Sequence, residues 1–417
     1  MKYSKLRVGA LAAVALTIAA VACTDDAVDV LAPTPAADPI FQRYVALGNS
    51  ITAGYQSSGI NDSTQKQSYA RLLAEQMHTG YTYPSLVGPG CAPPVVNFLT
   101  QARLGGATST TCALRDPSTT LRIQNNVAVP GATSADPTAP TTSASNILTQ
   151  LFLGGETQVR RALDAQPTFV SVWIGNNDVL DAATKGVTVA TPAPLNTAGI
   201  TSVTTFRANY KKMIDQLVTQ PGLKGILIGV VNVTAIPALF PAESLITNLT
   251  FKAQFDAAAG TTVAVLANCP GSHALVSYGI LGQIRAGAHP AVISCQANVP
   301  AAPVGNWFVL DSLEQKTFND DITAYNDYIH AKADSVGFAY LDPNPLLFTL
   351  RTAGAVPIMP NFTSATSPFG SYISLDGAHP TGKTHCLAAN AIIDAINAKY
   401  QTTLAHVTIN ENGYCGA

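Results

Sequence analysis

The chain has 417 residues, of which 47% are hydrophobic and only 12% are charged, and its formal net charge is −2. A chain of this length and composition can bury a sizeable core, and without a basic block it is not expected to bind nucleic acid. Composition and charge do not indicate the function further, so it has to be inferred from the motifs along the chain.

Residues 1–22 have the form of an export signal. Lys2, Lys5 and Arg7 precede an apolar run from Val8 that is too short to span a bilayer comfortably. The run closes with Ala-Val-Ala-Cys23, which resembles a bacterial lipoprotein box with alanine where leucine is commonest. The resemblance implies cleavage before Cys23 and attachment of lipid to that residue. The alternative is an ordinary secretory leader with an incidental cysteine.

Residues 23–40 are predicted to be a flexible tether, because they are rich in Asp, Ala and Pro. Thr24, which follows Cys23, resembles the residue of lipoproteins sorted to the outer membrane. We expect an exported bacterial lipoprotein of the cell envelope, held to the membrane by its lipid. The sequence does not indicate which side of the membrane it faces. Residues 41–417 are predicted to be a single domain, acting as a monomer.

Six further cysteines form an even set, which in an exported chain is typical of three disulfides. Fifteen pairings are possible. We expect sequential pairing, because each such pair falls within one local segment. A zinc site is the alternative, but the chain has no Cys-x-x-Cys spacing, so no metal is expected. The expected pairs are Cys91–Cys112, Cys269–Cys295 and Cys386–Cys415.

Apolar runs typical of buried strands alternate with helical patterns, which predicts an α/β fold with a doubly wound parallel sheet. The expected strands begin near Tyr44, Asn126, Phe169, Gly225 and Phe338, and the expected helices span 67–78, 147–163, 203–218, 312–336 and 382–400. Two segments exceed what this core needs, 81–117 and about 236–309. The second is expected to form a wall over the pocket.

A serine lies at the end of the first predicted strand. Gly48-Asn49-Ser50-Ile51 follows that strand directly, at the sheet edge where ligands bind in open α/β sheets. The α/β-hydrolase elbow Gly-x-Ser-x-Gly does not fit, since Thr52 occupies the position of the second glycine. Ser50 is a candidate nucleophile, and the alternative is ordinary turn chemistry.

Two histidines occur in the tetrapeptide Gly-Ala-His-Pro, His289 and His379. Only His379 has an aspartate three residues earlier, Asp376, whereas His289 has Ala286 there. A carboxylate at that spacing can accept the Nδ1 proton and leave Nε2 free to take a proton from serine. Asp376 as a simple helix cap is the alternative.

Two more short blocks follow predicted strands, Gly131 after Val-Ala-Val-Pro and Gly175-Asn-Asn177-Asp. Together with the Ser50 and Asp376–His379 blocks, they resemble the SGNH, or GDSL, hydrolases in family order. The resemblance implies a three-layer α/β/α sandwich of the flavodoxin-like type with a five-stranded parallel sheet and inserted disulfide-bearing loops. It also implies an oxyanion hole made by the N–H groups of Ser50 and Gly131 and the amide of Asn177.

We therefore expect an exported, lipid-anchored serine esterase that hydrolyses carboxylic esters of a lipid or an acylated carbohydrate without a cofactor. Ser50, His379 and Asp376 are the expected triad. Asn49 departs from the aspartate that usually precedes the family's serine, and we expect it to tune activity. An O-acyltransferase or polysaccharide deacetylase on the same residues, or a catalytically silent binding lipoprotein, are the alternatives. Acyl chain length and the alcohol are not predicted by the sequence.

Overall fold

The structure is a computed structural model that describes residues 38–86, 88–106, 123–139, 147–185, 190–191, 199–295, 308–409 and 415–416. All of these residues fall in one compact unit. Its strands, in chain order, are β1 (Tyr44–Gly48), β2 (Val95–Asn97), β3 (Ala102–Arg103), β4 (Phe169–Trp173), β5 (Ala190–Thr191), β6 (Ile200–Thr201), β7 (Lys224–Ile228), β8 (Leu239–Pro241), β9 (Ala264–Val265), β10 (Leu275–Ser277), β11 (Val292–Ile293), β12 (Val309–Leu310), β13 (Ala339–Leu341), β14 (Thr408–Ile409) and β15 (Cys415–Gly416).

The helices alternate with the main strands. In chain order they are α1 (Ser50–Ala53), α2 (Asp62–Lys66), α3 (Tyr69–Gln76), α4 (Ile147–Leu153), α5 (Gln158–Asp164), α6 (Asn177–Lys185), α7 (Val203–Leu217), α8 (Ser244–Thr247), α9 (Leu249–Ala259), α10 (Ile280–Arg285), α11 (Ser312–Val336), α12 (Asn344–Thr352) and α13 (Gly382–Tyr400).

Parallel strands form the central sheet in the order β1-β4-β7-β13. Alternate residues of each strand face opposite layers. On β1, Val45 and Leu47 pack in the cluster that includes residues of α7 and α11, whereas Tyr44 and Ala46 pack in the cluster that includes α3 and α13. Both faces are thus covered by helices, which is why β1 and β4 are buried along their whole length. The predicted three-layer α/β/α fold is confirmed.

The fifth strand predicted near Asn126 is not confirmed. That segment lies parallel to β1, and Ala46 forms a single bridge with Asn126. Backbone hydrogen bonds link the two, from the N–H of Ala46 to the carbonyl oxygen of Asn125 and from the N–H of Val127 to that of Ala46, at 2.7 and 2.9 Å. The central sheet among the described residues therefore has four strands and one bridging segment.

The helix expected over residues 147–163 is two helices, α4 and α5. Gly154 and Gly155 lie between them with φ angles of +62° and +92°, a left-handed conformation that glycine adopts without strain. Thr157 then caps α5 by accepting a hydrogen bond from the N–H of Arg160 at 3.1 Å. The glycine pair ends the first helix, and the threonine starts the second.

The inserted segment 236–309 contains more regular structure than the sequence indicated. It supplies all three strands of a small antiparallel sheet, in the order β12-β10-β8, and helices α8, α9 and α10. Its side chains form a separate hydrophobic cluster around Phe240, Phe251 and Phe255. Residues after α12, among them Phe362 and Phe369, complete that cluster. The segment is therefore a packed layer attached to the sheet.

Two of the three predicted disulfides are present. Cys269 is bonded to Cys295, and Cys386 is bonded to Cys415, with Cα–Cα distances of 4.9 and 5.9 Å. The first lies in the inserted segment, and the second joins α13 to β15. Cys112 lies outside the described residues, so the predicted bond from Cys91 cannot be described.

The predicted signal peptide and the lipidation residue Cys23 also lie outside the described residues. The last part of the segment expected to be a tether is the beginning of the described chain, where Asp38 caps a short 3-10 helix over Pro39–Phe41. Across the described ranges, no helix combines the length and apolar character needed to cross a membrane.

Candidate active site

Ser50 is the first residue of α1 and follows β1 after Asn49 alone. The side chain of Asn49 caps the helix, since its Oδ1 accepts a hydrogen bond from the N–H of Ile51 at 3.0 Å. Gly48 has no room for a side chain here, because an added Cβ would lie 2.2 Å from the Oγ1 of Thr52. This tight strand-to-helix turn fixes the serine at the carboxyl edge of the sheet.

His379 contacts Ser50 and Asp376 through its two ring nitrogens. Its Nε2 lies 2.8 Å from the Oγ of Ser50, and its Nδ1 lies 2.9 Å from the Oδ2 of Asp376. With Nδ1 donating to the carboxylate, Nε2 is left as an acceptor for the serine proton. The three side chains predicted as a triad are brought together in the arrangement that nucleophilic catalysis by serine needs.

The turn that carries Asp376 and His379 is closed by the aspartate itself. Its Oδ1 accepts hydrogen bonds from the N–H groups of Ala378 and His379, at 3.0 and 2.9 Å. Gly377 has a φ of +73°, which favours glycine. The carboxylate thus closes the turn and orients the imidazole at once. It is not a helix cap, because the N-cap residue of α13 is Thr381.

Groups far away in sequence also hold Asp376. The N–H of Ser58 donates to its Oδ2 at 2.8 Å, and the hydroxyl of Tyr278 donates to its carbonyl oxygen at 2.9 Å. Burial by itself would raise the pKa of this carboxyl, but the charge and hydrogen bonds of His379 and the bond from Ser58 outweigh it and hold the pKa well below its usual range. Asp376 therefore stays ionised beside the imidazole.

Asn177 and Gly131 lie on neighbouring loops at the same sheet edge. The Nδ2 of Asn177 donates to the carbonyl oxygen of Ala132 at 2.9 Å, which joins α6 to the loop of Gly131. An amide nitrogen has two hydrogens, so one remains for a ligand. Gly131 has a φ of +84°, and the N–H of Val129 nearby donates to the carbonyl oxygen of Gly48. Asn177 thus lines the same cleft as Ser50, and the segment before Gly131 is bonded to the end of β1.

Asp178 reinforces this arrangement and was not singled out from the sequence. Its carboxylate, 1% exposed, accepts hydrogen bonds from the N–H and the hydroxyl of Ser134, at 2.8 and 2.6 Å. Burial raises its pKa to about 6, although the bonds from Ser134 act in the opposite direction. The pair connects α6 to the loop three residues after Gly131. The sequence feature that could have identified Asp178 is its position directly after Asn177.

A long cleft, here called the apolar cleft, begins at Ser50 and extends along α12 and α13. Its cavity volume is about 100 Å³. Hydrocarbon side chains dominate its walls. They include Leu180, Val233, Ile236, Leu341, Leu346, Leu347, Leu350, Ile373, Ala388 and Ala391.

A second cleft, here called the polar cleft, meets the first at Asn177 and His379. Its cavity volume is about 370 Å³, and it lies between α6 and the inserted segment. Many of its side chains carry hydroxyl or charged groups. They include Tyr55, Ser58, Asp181, Thr184, Lys185, Ser277, Tyr278 and Asp376.

His385 is a wall residue of the apolar cleft that the triad does not use. Its side chain is fully buried, and its Nδ1 accepts a hydrogen bond from the N–H of Tyr69 at 3.2 Å. Burial first, and then the charge of His379, lower its pKa to about 3. His385 is therefore neutral, with its proton on Nε2, and it supports α3 against α13.

His289, the other histidine of the repeated tetrapeptide, lies away from this site. It follows α10 in the inserted segment, and its Nδ1 lies 2.7 Å from the carbonyl oxygen of Pro290. None of the described carboxylates forms an ion pair with it. Elsewhere in the described ranges, no cluster of three or more His, Cys, Asp or Glu side chains is placed to hold a metal.

The family comparison agrees with this geometry. The model of the GDSL-like lipases and acylhydrolases matches residues 44–392, which is most of the chain. The protein belongs to the GDSL family. Membership makes it a hydrolase that acts on esters, with an ester as its substrate.

Among solved structures, the chain is similar to an extracellular lipase from Streptomyces rimosus. The two share 15% sequence identity with a TM-score of 0.30, and the match covers 85% of this chain and 98% of the lipase. No curated protein matches the chain.

Proposed function

We propose that the protein is a serine esterase in which Ser50 forms an acyl-enzyme. The observation that carries this proposal is the continuous contact from Ser50 through His379 to Asp376, at 2.8 and 2.9 Å. Within the GDSL family, this places a base against the serine hydroxyl and an ionised carboxylate against the base. No other group is needed to activate the serine.

The reaction then follows from the atoms in contact. The Oγ of Ser50 attacks the ester carbonyl carbon as its proton moves to the Nε2 of His379, and the charge on Asp376 stabilises the imidazolium. The N–H groups of Ser50 and Gly131 and the amide of Asn177 hold the oxyanion. The alcohol leaves with the proton from His379. Water then attacks the acyl-enzyme as its proton moves to His379. His379 returns that proton to the Oγ of Ser50 as the acid leaves.

The decisive experiment replaces the nucleophile. Ser50→Ala should abolish hydrolysis of p-nitrophenyl butanoate and labelling by a fluorophosphonate, while circular dichroism remains that of the wild type. Ser335→Ala is the matched control, because this exposed hydroxyl bonds only within α11. Wild-type hydrolysis or labelling by the Ser50 variant would disprove the assignment, and a wild-type protein that no probe labels would favour a binding role.

We also propose that the protein is exported and anchored through lipid on Cys23. The leader sequence supports this, and so do the two disulfides, since such bonds persist in oxidising compartments. In a bacterial host, metabolic labelling with an alkyne fatty acid should mark the wild type and not Cys23→Ala. Release of the unlabelled wild type into the soluble fraction would contradict the anchor.

A further inference from the structure

The two clefts differ in which catalytic groups they expose. Ser50 lines the apolar cleft and not the polar cleft, whereas Asp376 lines the polar cleft and not the apolar cleft. His379 and Asn177 line both. An ester bound with its carbonyl carbon at Ser50 therefore has one part in each cleft, and the imidazole lies at the junction.

The chemistry of the proposed acyl transfer decides which part goes where. The acyl group becomes bonded to Ser50, so it belongs on the serine side, where hydrocarbon side chains form the walls. The leaving oxygen takes its proton from His379, so the alcohol belongs on the side that His379 and Asp376 share. That side is the polar cleft.

The walls of the polar cleft fit a hydroxylated group. Asp181 and Lys185 form an ion pair of 2.7 Å on α6, and their side chains are 47% and 49% exposed. Both are free to exchange water for a ligand, the carboxylate as an acceptor of hydroxyl protons and the ammonium as a donor. Because surface ion pairs of this kind contribute little to the free energy of unfolding, contacts with a ligand can replace the pair with little loss of stability.

Two tyrosine rings complete the polar cleft near the reacting atoms. The ring of Tyr55 lies 4.9 Å from that of His379, centroid to centroid. The ring of Tyr278 is fixed by its hydroxyl bond to the carbonyl oxygen of Asp376. Rigid aromatic walls with a few placed polar groups are what small-molecule sites use to orient a ligand.

We propose that the polar cleft is the alcohol site and that it selects esters of a polyhydroxylated alcohol, with Asp181 as a specificity-determining residue. This inference rests on the proposed serine esterase mechanism. It adds a role for the inserted segment, which supplies Ser277 and Tyr278 to this cleft. A glycerol head group and a sugar share the required chemistry, so the experiment compares them.

The experiment keeps the acyl group constant and changes the alcohol. Ethyl butanoate, glycerol monobutanoate and 6-O-butanoylglucose are compared by kcat/KM, with p-nitrophenyl butanoate as an activated reference. We expect kcat/KM for at least one polyol ester to exceed that for the ethyl ester by tenfold or more. The polyol ester with the higher kcat/KM shows whether the site prefers a glycerol head group or a sugar. If kcat/KM for both polyol esters were equal to or lower than that for ethyl butanoate, the inference would be overturned.

Asp181→Leu tests the residue itself, and the ratio of polyol ester to ethyl ester should fall at least tenfold. Asp164→Leu is the matched control, because Asp164 also forms a half-exposed ion pair four residues along its helix, with Arg160. In Asp164→Leu, the ratio of polyol ester to ethyl ester should stay within twofold of the wild-type ratio. An unchanged ratio in Asp181→Leu would contradict its role.

The two proposals fail in different ways. If Ser50→Ala retained hydrolysis of the p-nitrophenyl ester, the serine mechanism would be wrong. If that activity required Ser50 but the ratio of polyol to ethyl ester were one, only the assignment of the polar cleft would be wrong.

Discussion

The Nε2 atom of His379 lies 2.8 Å from the Oγ of Ser50, although 329 positions separate the two residues in the chain. One follows the first strand of the sheet, and the other lies on the turn before the last helix. Ser50 lies at the carboxyl edge of the parallel sheet, where ligands bind in such folds. The turn of His379 is held beside it by hydrogen bonds from the N–H groups of Ser57 and Ser58 to Ser374 and Asp376.

The repeated Gly-Ala-His-Pro provides an internal control for the base. His379→Ala should lower kcat by about three orders of magnitude or more, the scale on which a triad base acts. His289→Ala should change kcat less than twofold, since this histidine lies in the inserted segment and forms no ion pair with any described carboxylate. Steady-state kinetics on p-nitrophenyl butanoate gives both values. Equal losses in two folded variants would contradict the choice of His379.

The amide of Asn177 is expected to act only on the charge of the transition state. Asn177→Ala should therefore lower kcat by about 10²–10³ and leave KM within a few-fold. Asn176→Ala should show a different pattern, because the Oδ1 of Asn176 accepts a hydrogen bond from the N–H of Val231 at 2.8 Å. Loss of this hydrogen bond in Asn176→Ala should lower the free energy of unfolding by roughly 1–3 kcal/mol. Similar kcat values for the two variants would rule out an oxyanion role.

Gly377 is expected to be irreplaceable in the turn of the triad. An added Cβ would lie 3.0 Å from the Cα of Ala238 and would also require the left-handed conformation. Gly354 has nearly the same φ, +71°, with no atom within 4 Å of such a Cβ. Gly354→Ala should thus lose only about 1–2 kcal/mol of unfolding free energy. Gly377→Ala should lose more, and kcat should fall as well; denaturant unfolding and kinetics measure both.

His385 should make stability depend on pH in the acidic range. Its pKa is about 3 in the folded protein, whereas an unfolded histidine takes up a proton below about 6.5. Protons therefore favour the unfolded state as the pH falls through this window, by up to about 1.4 kcal/mol per pH unit. His385→Gln keeps an acceptor for the N–H of Tyr69 but does not titrate.

The measurement is denaturant unfolding at pH 7 and pH 5. From pH 7 to pH 5, the free energy of unfolding of the wild type should fall by roughly 2 kcal/mol more than that of His385→Gln, because an unfolded histidine takes up its proton below about pH 6.5. His406→Gln is the surface control, because His406 is 54% exposed and pairs with Asp394. It should retain the wild-type dependence. The same slope in His385→Gln and the wild type would mean that His385 is not buried as described.

Sequence patterns predicted the parts of the site that are local. Asp376 and His379 lie on one four-residue turn, so their spacing alone indicated their contact. Ser50 could be placed because a buried strand leads directly to it. The contact between these two parts was expected from the resemblance to the SGNH hydrolases, because the turn of His379 does not follow a strand of the sheet.

The remaining features depend on partners that are distant in sequence. The N–H of Ser58 reaches Asp376 across 318 positions, and the ring of Tyr278 comes from the inserted segment. No local pattern specifies such pairs. The fifth strand is not confirmed, although the backbone of the predicted segment after Asn126 is hydrogen-bonded to β1. The inserted sheet was missed because its strands are only two or three residues long.

On the proposed mechanism, with the polar cleft as the alcohol site, the junction of the two clefts has a consequence for the order of events in a turnover. After acyl transfer, the alcohol in the polar cleft would occupy the place from which water approaches the Nε2 of His379. Departure of that alcohol therefore precedes hydrolysis. In a concentrated polyol solution, a second alcohol molecule competes with water for the same place, and the acyl group is passed on to it. The occupancy of one cleft thus sets the partition between hydrolysis and transesterification.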